Sequence, residues 1–209
     1  MTKPQTKSLI YAAALAGVLA PLFFGMRSLS LDGVTYGLHM TARVSLAYFL
    51  VVYFARPLRD LLGVKWLMRY RRTLGLCVAI ALTVHFGFVA AFFYLSTQSV
   101  FDDMARFYAV SAGAVALYAM AVTSNDTSMR VLKRWWKRLH VVGIHYLWFI
   151  FFVSYLIAVQ KEPDLSTPHA MMFLAFLGVM MLGLALRQFL WIRRRLARAR
   201  VAASARASI

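Results

Sequence analysis

Six apolar runs divide the chain, at 8–26, 34–55, 73–95, 107–123, 139–159 and 170–186, with short polar stretches between them. Each is near the roughly 17–25 residues that a helix needs to cross the hydrocarbon core of a bilayer. The first run is too long for the apolar part of a leader peptide and has no small-residue cleavage site before Arg27, so it reads as a retained span. The short connections leave no room for a second folded domain. The pattern predicts an all-α, polytopic membrane protein, a single domain over 1–209 folded as a six-transmembrane-helix bundle. Its only compositionally biased segment is the basic tail, 191–209.

Composition sharpens this picture. Hydrophobic side chains make up 62% of the 209 residues and charged ones 15%, against about 45–50% and 25% in soluble domains. The chain carries 24 Lys and Arg against 7 Asp and Glu, a net charge of +17. Nucleic acid is excluded as the partner, because a nucleic-acid-binding domain does not carry repeated apolar runs of membrane length. The cations instead fall mostly on one side of a six-span model. Lys3 and Lys7 precede the first span, Arg56 to Arg72 fill the second connection, Arg130 to Arg138 fill the fourth, and the Arg-rich tail follows the last. The opposite side has Arg27, Arg43, Arg106 and Lys161 beside Asp32, Asp102, Asp103, Glu162 and Asp164. The positive-inside rule then places both termini in the cytoplasm. Trp66, Trp135, Trp136 and Trp191 are expected as interfacial anchors, and attraction to anionic membrane lipid is a by-product of the charge. A single cysteine, Cys77, excludes an internal disulfide, a cysteine-based zinc site and a dithiol redox pair.

Ionisable groups at membrane depth are costly and mark function. His85 lies in the third span, 13 residues beyond Arg72 and therefore about 20 Å along the helix. Gly75 and Gly87 on the same helix permit close approach of a neighbour or of a flat ligand. The fifth span carries His140 and His145, which stand about 140° apart on a helix and cannot share one face. His140 also reads as an interfacial residue belonging to the basic cluster before it. His39 and Arg43, four residues apart near the outer end of the second span, share a face. A haem propionate or a quinone headgroup would satisfy that arginine, and snorkelling to the surface is the alternative. His169 follows Pro168 at a helix start and is assigned no chemistry. No dinucleotide fingerprint, P-loop or HExxH pattern occurs, and the spans hold no carboxylate of the kind used in proton-coupled transport. Histidines without carboxylates or a cysteine cluster suit haem better than zinc or iron–sulfur.

The stretches His39-Met40-Thr41-Ala42-Arg43, Arg71-Arg72-Thr73-Leu74-Gly75-Leu76 with His85 following, Thr123-Ser124, and Trp136-Lys137-Arg138-Leu139-His140 occur in this order along nearly the whole chain. In them the chain resembles the ferric-reductase-like transmembrane family. Within that family it is most similar to the haem-binding membrane subunits of bacterial periplasmic methionine-sulfoxide reductase systems. The resemblance implies a six-helix core holding haem b between the third and fifth spans, with His85 and His140 as iron ligands and His39 and Arg43 as a second-span motif. It implies electrons arriving from a cytoplasmic flavin reductase or quinol and leaving to a periplasmic reductase. Ala42 stands where the family usually has glycine, and a second fifth-span histidine, three to four turns beyond the first, is replaced by Phe152-Val153-Ser154. His145, in a sequence like that around the missing histidine, is the rival ligand.

The leading expectation is a membrane electron-transfer subunit. Arg71, Arg72, Lys137 and Arg138 would flank its cytoplasmic entrance, where they also suit an anionic cofactor such as FMN. Two alternatives stay open: a stand-alone transmembrane metal reductase or quinol oxidase, and a haem-free transporter or scaffold.

Overall fold

The computed structural model describes residues 3–26, 30–96 and 104–207. Arg27, Asp102 and Asp103, assigned above to the opposite side, lie outside these residues. The described elements are eight helices: α1 (Lys3–Met26), α2 (Leu31–Leu62), α3 (Trp66–Arg69), α4 (Arg71–Leu95), α5 (Met104–Val122), α6 (Asp126–Leu132), α7 (Arg134–Gln160) and α8 (Pro168–Ala207). Helices α1, α2, α4, α7 and α8 are each long and apolar enough to cross a membrane. The sixth expected span is α5, which counts as one together with α6 across a bend of 107°. The chain is an all-α, multi-pass membrane protein.

The apolar runs mark only the middles of these helices. The run 34–55 continues as helix through Arg56, Arg59 and Asp60, and the basic tail extends α8 as helix to Ala207. Polar residues outside the hydrocarbon keep helical hydrogen bonding, so apolar length understates helix length. Local chemistry sets the ends. Ser30 caps α2 by accepting from the Gly33 N–H (3.2 Å), and Asn125 caps α6 by accepting from the Ser128 N–H (2.7 Å). Gly63, at φ +69°, closes α2 in the left-handed conformation, its N–H donating to the Arg59 carbonyl (3.1 Å). Before α8, the N–H and hydroxyl of Ser166 both donate to Asp164 (2.8 Å each), holding that carboxyl below its usual range. Thr167 then accepts from the Ala170 N–H (3.1 Å), with Pro168 as the first helical residue.

Helix α2 is the hub, packing on α1, α4 and α8, while α7 packs on α5 and α8. Helices α4 and α7 are not in extensive backbone contact; side chains from both fill the space between them. Leu46, Phe49 and Tyr53 of α2 meet Val78 and Leu82 of α4, Leu117 of α5, and Leu147 and Phe151 of α7. On the outside, large apolar side chains such as Phe23, Val115 and Val142 are about two-thirds exposed, the reverse of a water-soluble surface.

Close approach of α2 and α4 depends on Gly37, where an added Cβ would overlap the buried Phe88 ring, with its Cζ 2.6 Å away. Gly37→Ala is therefore expected to destabilise the bundle by about 1–3 kcal/mol, the usual cost of overpacking. A thermal unfolding scan in detergent checks this, and an unchanged midpoint would show that Phe88 moves aside freely.

Candidate functional site

A cavity of about 340 Å³ opens between α4 and α7 toward the arginine-rich side, within the size range of small-ligand sites. Arg71, Arg72, Gly75 and Val78 of α4 form one wall, and Trp136, His140, Ile144 and Leu147 of α7 form the other. Phe49 and Val52 of α2 and Leu117 and Met120 of α5 close it. Spacings of three and four residues put each of these sets on a single helical face.

His140 is held from two sides. Its Nδ1 lies 3.0 Å from the Trp136 carbonyl, to which Nδ1–H donates. The Trp136 ring stacks on the imidazole at 4.1 Å between centroids, and its Nε1–H donates to the Thr123 carbonyl just beyond α5 (2.9 Å). With the proton on Nδ1, the lone pair is on Nε2, which lies a long 3.4 Å from the Ser124 hydroxyl, and the ring also has the Met120 carbonyl close by. That hydroxyl already donates to the Met120 carbonyl (2.7 Å). A carbonyl fixing one ring nitrogen and leaving the other basic is the arrangement seen at metal-binding histidines.

His85 is arranged in the same way but elsewhere. Its Nδ1 lies 3.1 Å from the Thr41 hydroxyl, which donates its own proton to the Gly37 carbonyl (2.8 Å) and so accepts from the imidazole. The Leu38 carbonyl on α2 is also close to the ring. Counted from the starts of α4 and α7, His85 is about 21 Å and His140 about 9 Å into the bundle. His85 follows Val78 on the same face of α4 but is not among the cavity-lining residues. Leu82, Phe49, Leu147 and Phe151 pack between the two levels. His145 takes a third direction: its Nδ1 donates to the Val141 carbonyl (2.7 Å), and its ring meets the edge of Tyr53 on α2 at 6.1 Å.

Three features of the cavity suit a flat, anionic, apolar ligand. Gly75 lines it with nothing within 4 Å of where a Cβ would stand. Arg72 is paired with Asp126 (3.3 Å), whereas Arg71, half-buried at the same mouth, has no carboxylate partner among the described residues. His140 is the one imidazole among the cavity-lining residues and is the candidate metal ligand there. The described residues contain no cluster of three or more His, Cys, Asp or Glu able to hold a bare metal ion.

Arg43 and His39 part company. Arg43 donates to Nε2 of His169 on α8 (2.5 Å), and Nδ1 of His169 faces Glu162 at 3.2 Å. His39 is exposed. His169, assigned no chemistry from the sequence, thus links α2 to α8 at the side opposite the cavity mouth. In a double-mutant cycle of Arg43→Ala and His169→Ala, the coupling is expected to be below about 1 kcal/mol, as for other exposed polar pairs. A larger coupling would make this contact a structural clamp.

The chain is 32% identical over 166 residues to the protein-methionine-sulfoxide reductase heme-binding subunit MsrQ of Xanthomonas oryzae pv. oryzae (strain MAFF 311018), covering 69% of this chain and 75% of that protein. The MsrQ of Xanthomonas campestris pv. campestris (strain B100) is 30% identical over the same shares. That of Brucella ovis is 29% identical over 137 residues, 63% of this chain and 62% of its own length. The chain belongs to the MsrQ family. No family model and no solved structure matches it.

Beyond His140, the three-to-four-turn interval where the resemblance places a further histidine holds Phe151 and Phe152. Phe151 is buried against Phe49 (5.1 Å between centroids), and Phe152 stacks on Trp148 at 5.0 Å. Trp136, expected as an interfacial anchor, turns into the cavity instead. Its spacing of four residues from His140 was the available sign, because i and i+4 side chains meet on a helix. The roles of Ser124 and Thr41 had no such sign, since each depends on a contact between helices.

Proposed function

We propose that this chain is a haem b-binding membrane subunit that passes electrons across the bacterial inner membrane to a periplasmic methionine-sulfoxide reductase, with both termini in the cytoplasm. The observation that carries the reading is His140, lining an apolar cavity with its Nδ1 fixed by the Trp136 carbonyl, beside Arg71, which has no carboxylate partner among the described residues. The haem supplies one-electron chemistry when bound. His140 would hold the iron from α7, Arg71 would attract the anionic groups, and Gly75 would leave room for a flat ligand against α4. His85, the buried α4 imidazole, would be the second ligand; because it lies about 12 Å deeper than His140, this requires α4 and α7 to shift along each other as well as the Leu82–Leu147 layer to part. His145 stays outside the ligand set because its ring faces Tyr53. Phe151 and Phe152 stand where a further α7 histidine, three to four turns beyond His140, would lie, so a single haem is expected.

Two readouts separate the parts of this proposal. If one iron joins the two histidines, His85→Ala loses the b-type difference spectrum as His140→Ala does. A full spectrum with unchanged haem content in His85→Ala would remove His85 from the pair and leave the cavity site standing. Adding either quinol or a flavin reductase with its reductant to the purified protein, and following haem reduction, identifies the donor. Reduction by the flavin reductase is expected, with FMN drawn to Arg71 and Arg72 at the cavity mouth and to Lys137, whereas Arg138 lies over Trp135 on the other side of α7; reduction by quinol alone would assign a quinone site instead. Orientation is tested by C-terminal fusions, where a fluorescent cytoplasmic reporter is expected and an active periplasmic phosphatase would invert the topology.

A further inference from the structure

The lipid-facing side of α7 carries a second depression, separate from the haem cavity. A trough of about 560 Å³ runs between α5 and α7 over Ala112, Ala116 and Gly143, whose small side chains leave it shallow and open. Tyr146 stands at one end, its hydroxyl donating to the Ala109 carbonyl (2.9 Å). The other end opens beneath Trp135 and Arg138. From Tyr146 to Trp135 is eleven residues of helix, about 16 Å. One leaflet of a hydrocarbon core about 30 Å thick is about 15 Å deep. The trough is therefore as long as one acyl chain and closes where that chain should end.

Its open end is cationic. The Arg138 guanidinium lies 4.9 Å over the exposed Trp135 ring, and that of Arg134 lies 6.0 Å from it. Neither arginine has a carboxylate partner among the described residues. The ring keeps both charges at headgroup level, where tryptophan prefers to sit. Alongside, Leu132 of α6 forms part of the wall. Lys133, between α6 and α7, has φ +46°, a backbone conformation that a non-glycine residue adopts at some cost. It joins α6 to α7, while the 107° bend between α5 and α6 lies at 123–125.

We propose that this trough is a specific site for an anionic phospholipid of the leaflet on the arginine-rich side, one acyl chain lying over Ala112 and Ala116 and the phosphate meeting Arg134 and Arg138. Net positive charge alone would attract such lipids anywhere on this side; the apolar trough of matching length distinguishes a site from a diffuse field.

The test is native mass spectrometry of the purified full chain released from nanodiscs containing equal phosphatidylglycerol and phosphatidylcholine. Retention of phosphatidylglycerol over phosphatidylcholine is expected, and the Arg134→Gln/Arg138→Gln double variant should lower that preference about 30-fold, the product of two interfacial charges. Ala116→Leu, which fills the trough without changing charge, should lower phosphatidylglycerol retention as well. Arg193→Gln/Arg195→Gln, which removes two cations of α8 away from the trough, should leave it unchanged. Equal retention of the two lipids by the unaltered chain would overturn the proposal. So would an equal loss from the α8 variant, which would mean diffuse charge, or full retention by Ala116→Leu. Circular dichroism checks that each variant is folded, and Ala116→Leu still decides between site and field if the double variant does not fold.

Discussion

His140→Ala is expected to purify as a folded but nearly colourless protein. The imidazole is half-buried, and its firm hydrogen bond goes to a carbonyl in its own helix, so removing it leaves little unsatisfied and costs the bundle about 1 kcal/mol. Haem loses the ligand that fixes its iron to α7, which should weaken binding by more than the 10–100-fold typical when only a ligand's hydrogen-bond partner is removed. Extraction and quantification of haem, with circular dichroism on the same sample, separates cofactor loss from unfolding. Full haem content in this variant would show that the iron is held elsewhere.

The second large effect is expected at Trp136. Its carbonyl orients His140, its ring covers one face of the imidazole, and its indole N–H ties α7 to the end of α5. Trp136→Ala keeps the carbonyl but loses the other two contacts, and should weaken haem retention by about 10–100-fold. Trp136→Phe restores a stacking ring without the N–H. Recovery of haem content and of the reduction midpoint by phenylalanine would assign the effect to stacking. Recovery of neither would assign it to the Thr123 tether. A midpoint and haem content unchanged even in Trp136→Ala would make the residue a packing group only.

Much of this protein is legible in one dimension because the membrane restricts the solutions. A span must satisfy its own backbone polar groups, so apolar length alone reads out helices, and their existence and order follow the six runs. The ends do not, because Arg56, Arg59 and Asp60 continue α2, and the basic tail continues α8. The histidines stand out for the same reason: imidazoles such as His85 and His140 are conspicuous in apolar runs. Their surroundings depend on which faces meet. Nothing in the sequence shows that Thr41 would accept from His85, that His169 would receive Arg43, or that Trp136 and Trp135 would face a cavity and the lipid respectively. Helical angles separate neighbours such as these two tryptophans, but only the packing of α4, α5 and α7 decides which direction is inward.

The most direct measurement is the dithionite-reduced minus oxidised spectrum of the purified, folded chain, with haem counted against protein. A b-type signal with about one haem per chain is expected, from the single histidine that lines the slot and the phenylalanines where another would stand. A folded protein with no such signal after haem has been supplied would contradict the assignment of the slot to haem.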